Sequence, residues 1–191
     1  MAYLLCGRFS AILCLGAALL LGSCCANNVC DCPDEQLADA IELRFKTEAD
    51  TLTGGSSFGR LDLDTVLIQR SPLPYNPATK PETVTLIRTT AHARDPIQLK
   101  STAPFGQLGT IKLNRYRYVV QYLSHQPRSK PTAATILVVK GIQLKGSFDG
   151  NGCCTCYSNT QKTAFTQKNE AVKDSAFVDL RQPPKFILIT R

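Results

Sequence analysis

Histidine is scarce in this 191-residue chain, which has only His92 and His125. Neither stands in a G-x-S-x-G, an H-E-x-x-H, a phosphate-cradling glycine loop or a paired-acid motif, so the common signatures of hydrolytic and phosphoryl-transfer chemistry are absent. What remains for catalysis is a short constellation, His92, Arg94 and Asp95, in which a carboxylate three residues beyond an imidazole could orient it. Sequence alone does not supply the mutual geometry that a catalytic claim requires. An apolar run long enough to span a bilayer is also lacking. The stretch at residues 9–22 is shorter than the ~20 residues a spanning helix needs and ends in small residues, the form of a signal-peptide core. Sustained helical periodicity and fixed-period repeats are missing, which argues against helical bundles and solenoids. No nucleic-acid-binding motif occurs, so nucleic acid is not an expected partner.

What the chain does have is alternation of period two. Ile41, Leu43 and Phe45 alternate with Glu42, Arg44 and Lys46, as in a strand with one face in a core, and residues 36–40 could add a turn of helix ahead of it. Further strands are predicted at 61–70, 83–89, 110–123, 135–148, 153–158, 176–180 and 185–190, all rich in Val, Ile, Leu, Thr and Tyr. Breakers separate them: Gly54-Gly55-Ser56-Ser57, the prolines between Pro72 and Pro81, and Pro127 to Pro131. A short helix is allowed later only at 167–174. The pattern predicts an all-β domain, an antiparallel β-sandwich or partly closed barrel of about eight strands.

At the end of the apolar run stands Leu21-Gly22-Ser23-Cys24, with Arg8 as the lone early charge in front of it. This segment resembles the lipobox of bacterial lipoproteins, in which an aliphatic residue and a small pair precede the cysteine that receives lipid. The resemblance implies a signal peptide at 1–23, lipidation of Cys24, a tether at 24–38 and a single β domain at 39–191. It also implies a membrane partner through the N-terminal lipid. The residue after Cys24 is Cys25 and not the aspartate associated with inner-membrane retention, so the implied place is the outer membrane of a Gram-negative envelope. The chain as a whole also resembles small lipoproteins of Bacteroidota.

Cleavage before Cys24 leaves Cys25, Cys30, Cys32, Cys153, Cys154 and Cys156 as an even set beside the lipidated residue, whereas cleavage after Ala26 leaves an odd one. Outside the cytoplasm these thiols are expected to form disulfides. Fifteen pairings exist for six cysteines, and spacing does not choose among them. Asn151-Gly152 predicts a tight hairpin turn with Cys153 opening the returning strand, which puts Cys154 and Cys156 on one face. Adjacent cysteines rarely bond each other, so a link from this group to Cys25, Cys30 or Cys32 is expected. A thiolate metal site is the rival reading. Its spacing, C-x-C with C-C-x-C, is not that of zinc ribbons and no histidine lies near, so neither a metal nor another cofactor is expected.

Charge is unevenly distributed. From Cys24 to Asp64 nine acidic residues face three basic ones, while from Thr65 onward eighteen basic residues face six acidic ones. An anionic polymer or an envelope protein is therefore a candidate partner, although the two halves could instead neutralise each other in the fold. Arg115, Tyr116, Arg117 and Tyr118 offer a candidate surface: Tyr116, Tyr118, Val120 and Tyr122 share one face of a strand and Arg115 and Arg117 the other, with the tyrosines serving either as stacking rings or as core. Two loops are further candidates, residues 91–109 with His92 and Arg94, and the proline-rich 71–81. The sequence thus predicts a lipid-anchored envelope protein with a non-catalytic binding or structural role. Its alternatives are an envelope hydrolase using the His92 loop and a thiol-based metal-binding protein.

Overall fold

The structure is a computed structural model that describes residues 30–32, 35–48, 56–106, 112–124, 130–151, 154–169, 171 and 174–191. A short helix, α1 (Glu35–Asp39), precedes β1 (Ile41–Phe45), β2 (Thr65–Pro72), β3 (Glu82–Ile87), β4 (Ile97–Leu99) and β5 (Tyr116–Ser124). β6 (Thr132–Asn151), β7 (Cys154–Gln167), β8 (Ala176–Asp179) and β9 (Ile187–Ile189) follow. These strands form two sheets, β4-β1-β9 and β3-β2-β5-β6-β7-β8, all antiparallel except β1 with β9.

Alternation explains the small sheet. Ile41, Leu43 and Phe45 are buried, and register sets Leu43 beside both Ile97 and Ile187 and Phe45 beside Ile189, so one face is apolar across all three strands. The large sheet answers with Val66, Ile68, Tyr118, Val120, Tyr122, Leu137, Val139 and Ala164, which join the same core. Phe58, fully buried, fills the space between them. Its ring meets Phe45 at 5.6 Å and Tyr122 at 5.5 Å, both edge-on, the favoured arrangement for aromatic quadrupoles. The architecture is an open two-sheet sandwich and not a closed barrel.

Several elements differ from the sequence reading, each for a local reason. The expected strand at 61–70 begins with a 3₁₀ turn, Arg60–Leu63, because the Asp62 carboxylate accepts a bond from the Gly59 N–H at 3.0 Å and curls the chain before β2. The strand expected at 110–123 likewise opens with a 3₁₀ turn, Leu113–Arg115, ahead of β5. The long loop at 91–109 contains β4, whose three residues are too few to show a period, and it buries Ala93, Ile97, Leu99 and Phe105. The strand expected to stop at Ser158 runs on to Gln167, because β6 and then β8 supply backbone partners for its polar residues. None of the described residues in 167–174 is helical. The turn of helix expected at 36–40 is present as α1.

The β6–β7 hairpin outruns the sandwich. Its register shifts between Lys140 and Gln143 and again between Lys145 and Gly146. The first shift centres on Gly141 at φ 58°, a left-handed conformation open to glycine, and the Phe165 ring lies 3.0 Å from where a Cβ would stand. At the second, a Cβ on Gly146 would overlap the Tyr157 ring and come within 2.7 Å of the Ser158 carbonyl oxygen. Beyond Leu144 the described side chains of β6 are exposed, so residues 145–151 and 154–161, paired outward from Lys145 with Gln161, make an arm that the core does not cover.

The acidic front and the basic remainder meet among the described residues. Arg191 pairs with Asp62 at 2.9 Å and Lys112 with Glu35 at 3.9 Å, while the Lys162 ammonium sits in the field of Asp39 and Glu42. Part of the lopsided charge is thus neutralised inside the fold.

Candidate functional site

The arm is closed by covalent bonds. Cys30 is bonded to Cys154 and Cys32 to Cys156, each pair 124 residues apart in sequence. Because side chains on a strand repeat every second residue, Cys154 and Cys156 share a face and meet a C-x-C segment of the same spacing. Each pair links the same way along the chain, so residues 30–32 run parallel to the start of β7, a two-point clasp. The segment expected to be a tether is therefore fixed to the domain from Cys30 onward. β7 is first described at Cys154, opposite Asn151. Cys24, Cys25, Cys153 and His125 lie outside the described residues.

Helix α1 continues the clasp. Asn159 Nδ2 and Lys162 Nζ donate to the Ala38 carbonyl at 2.6 and 2.8 Å, satisfying a C-terminal carbonyl of the helix, and Tyr157 Oη donates to Asp39 at 3.3 Å. Burial lowers the Lys162 pKa from its ordinary value, and Asp39 and Glu42 oppose that shift. Tyr157 also faces Phe148 across the hairpin, ring centroids 5.4 Å apart, and Phe148 is 65% exposed. On the opposite face the Asp149 carboxylate accepts from Ser158 Oγ and from Ser147 Oγ at 3.5 Å.

A second candidate gathers around β5. Ser71 pairs with Arg117 and Pro72 with Tyr116, so the proline-rich loop and the tyrosine strand, separate candidates in the sequence, come together. The Leu73 N–H donates to the Arg115 carbonyl at 2.9 Å, and the Arg117 guanidinium lies 4.7 Å from the centre of the Tyr75 ring. Tyr75 and Arg115 are exposed. The tyrosine face is largely core: Tyr118 is 1% exposed, which removes it from the binding surface, and burial raises the pKa of its hydroxyl. Tyr116 is half-buried as one side of a stack, with Phe105 on the other and the buried Arg70 guanidinium between them, 4.6 and 4.4 Å from the two ring centres. Glu82 closes an ion pair with Arg70 at 2.7 Å. What this face offers to solvent is Arg115, Arg117 and Tyr75. The last was missed as a residue by sequence reading, although its loop was a candidate.

The third candidate is the His92 turn. His92 Nδ1 and Asp95 Oδ2 are 2.6 Å apart, so the carboxylate does orient the imidazole, on side chains that are more than half exposed. Arg88 shapes the turn by donating to the carbonyls of His92, at 2.5 Å, and Asp95. Burial lowers the Arg88 pKa and Asp95 opposes the shift. Arg94 is exposed beside them. A cleft of about 280 Å³ lies elsewhere, between β9 and the strands β6 to β8, with Ile136, Leu137, Leu188 and Ile189 as apolar lining and Lys168 and Asp174 among its polar residues.

Among the described residues no group of three or more His, Cys, Asp or Glu side chains could hold a metal ion, and the four bonded cysteines have no thiolate to offer one. No helix among them is long and apolar enough to cross a membrane. Compared with protein-family models, with curated proteins and with solved structures, the chain matches none.

Proposed function

We propose that this chain is a lipid-anchored protein of a bacterial outer membrane whose role is structural or binding and not catalytic. The observation that carries the reading is the clasp: two disulfides begin six residues after the lipobox-like cysteine and tie that segment to the domain. Disulfides of this kind persist in oxidising compartments outside the cytoplasm, and a domain fixed so near its anchor suits a protein that stands at a membrane. Lipid on Cys24 supplies the membrane partner. The surface of Arg115, Arg117 and Tyr75 is where an anionic polymer or an acidic face of another envelope protein would be engaged, since the Arg117 guanidinium lies against the Tyr75 ring and the exposed Arg115 is two residues from it along the chain.

The test is made on the protein purified from membranes. Intact mass is expected to show acyl chains on Cys24, and Cys24→Ser is expected to move the protein into the aqueous fraction. A Cys24→Ser protein that stays in membranes, with no acyl mass on the wild type, sinks the reading. The His92–Asp95 contact at 2.6 Å favours one second reading, an envelope hydrolase with His92 as base. Hydrolytic activity lost in His92→Ala with folding intact would establish that reading in place of a non-catalytic role.

A further inference from the structure

We propose that the clasped arm is a foot that rests on the lipid surface, with Phe148 entering the interface and the sandwich held upright behind it. The inference rests on the lipid-anchored reading of Cys24 and adds an orientation and a contact that the anchor alone does not require.

Chain length supplies the first argument. Five residues separate Cys24 from Cys30. Even fully extended at ~3.5 Å per residue, they reach only ~20 Å. Cys30 is bonded to Cys154, which pairs with Asn151 near the end of the hairpin, so the end of the arm is kept within that reach of the acylated residue. Without the disulfides the anchor would lead first to α1, which bonds β7 from Tyr157 to Lys162, at the base of the arm. With them, it leads to the arm's end.

The surface of the arm supplies the second. Phe148 is 65% exposed on a strand whose neighbouring side chains are small or polar, and no part of the core needs it. Its partner Tyr157 has an apolar ring beside Phe148 and a hydroxyl turned to Asp39. An apolar ring backed by a tyrosine is the side-chain chemistry that settles at a membrane–water boundary. Asp149 does not oppose this, because its carboxylate is on the opposite face and is occupied by the hydroxyls of Ser147 and Ser158. Exposed Ile87, by contrast, belongs to β3, at the other edge of the six-stranded sheet from β7 and β8. A domain standing on its arm keeps that edge away from lipid.

The chain contains no tryptophan, so one introduced at a chosen site reports on that site alone. The experiment uses the acylated full-length protein as Phe148→Trp and, separately, as Ile87→Trp, each reconstituted into phosphatidylethanolamine–phosphatidylglycerol vesicles with and without brominated acyl chains. Blue-shifted emission and bromine quenching at position 148, with water-like unquenched emission at position 87, support the foot. In the Cys24→Ser background, Phe148→Ala is further expected to weaken residual vesicle binding by at least about fivefold. An acylated protein in which the indole at position 148 is as exposed and unquenched as the one at position 87 overturns the inference while leaving the lipid anchor standing. Equal quenching at both positions overturns it too, since the domain then lies without a preferred end. Absence of acyl mass on Cys24 together with absence of vesicle binding removes both the anchor and the foot.

Discussion

The sandwich and the arm are made of similar strand residues and are held by opposite means. In the sandwich, register puts Ile, Leu, Val and aromatic side chains of two sheets face to face, and Phe58 fills the space between Phe45 and Tyr122. In the arm, most β6 side chains beyond Leu144 face water, and two disulfides, a tyrosine–aspartate bond and a capped helix carbonyl do the holding. Burial stabilises a structure in proportion to the apolar area removed from water, so a two-stranded ribbon with little to bury is marginal by itself. A covalent link acts instead on the unfolded chain, and its effect is independent of how much the arm buries.

That contrast is tested most severely in the core. Phe58→Ala removes a fully buried ring with two edge-on partners and is expected to cost about 3–5 kcal/mol, read as a lower denaturant midpoint with the clasp still oxidised. Complete reduction is next. Opening the loop of 124 residues is expected to cost about 2–5 kcal/mol, seen as a fall in thermal midpoint with reductant. The two disulfides should be far from additive. Once one has closed the long loop, the other closes only a small ring, so removing Cys30–Cys154 alone should cost no more than about 2 kcal/mol. Equal, additive losses would show that each bond acts on native geometry and not on the unfolded chain.

Gly146→Ala acts on the arm alone. The added Cβ must displace the Tyr157 ring or the Ser158 carbonyl, for an expected cost of about 1–3 kcal/mol, and amide exchange should quicken at Tyr157 and Asn159 while Val120 and Val139 stay protected. Loss of protection throughout would mean that arm and sandwich unfold as one. The smallest effect is on pH. Arg181 donates to the Asp179 carboxylate from its side chain at 2.9 and 3.2 Å and from its backbone at 3.0 Å, which lowers that pKa below its ordinary value of 3.8. The unfolded chain therefore takes up this proton first on acidification. The contribution is whole above the ordinary value and is lost as pH falls through the folded one. A slight fall in thermal midpoint below about pH 4, absent in Asp179→Asn, is expected.

Legibility in the sequence followed the same divide. β1 could be read residue by residue because Ile41, Leu43 and Phe45 alternate without interruption, and the tyrosine strand was read correctly as having one uniform face, which proved to be the core side. β4 was hidden because Ile97–Leu99 is a strand only through its neighbour β1. The far half of β7 was hidden because Asn159 to Lys162 have no apolar period, and backbone pairing with β6 decides their shape. The cysteine groups announced a long-range link, but which sulfur met which depended on residues 30–32 lying parallel to β7. Tyr75 had no local signal at all. It reaches Arg117 only because β2 and β5 are in register at Ser71.

The parallel pairing of β1 with β9 also orders the assembly of the molecule in time. β1 is the middle strand of its sheet, yet one of its two neighbours belongs to the last strand described, and the Arg191 N–H bonds the Ser56 carbonyl just beyond. A chain that emerges from its amino end first presents Ile41, Leu43 and Phe45 long before Ile187 and Ile189 arrive to flank them. Contacts so distant in sequence form late and slowly. The small sheet is then the closing step of folding, and its apolar rows stay exposed until β9 has followed.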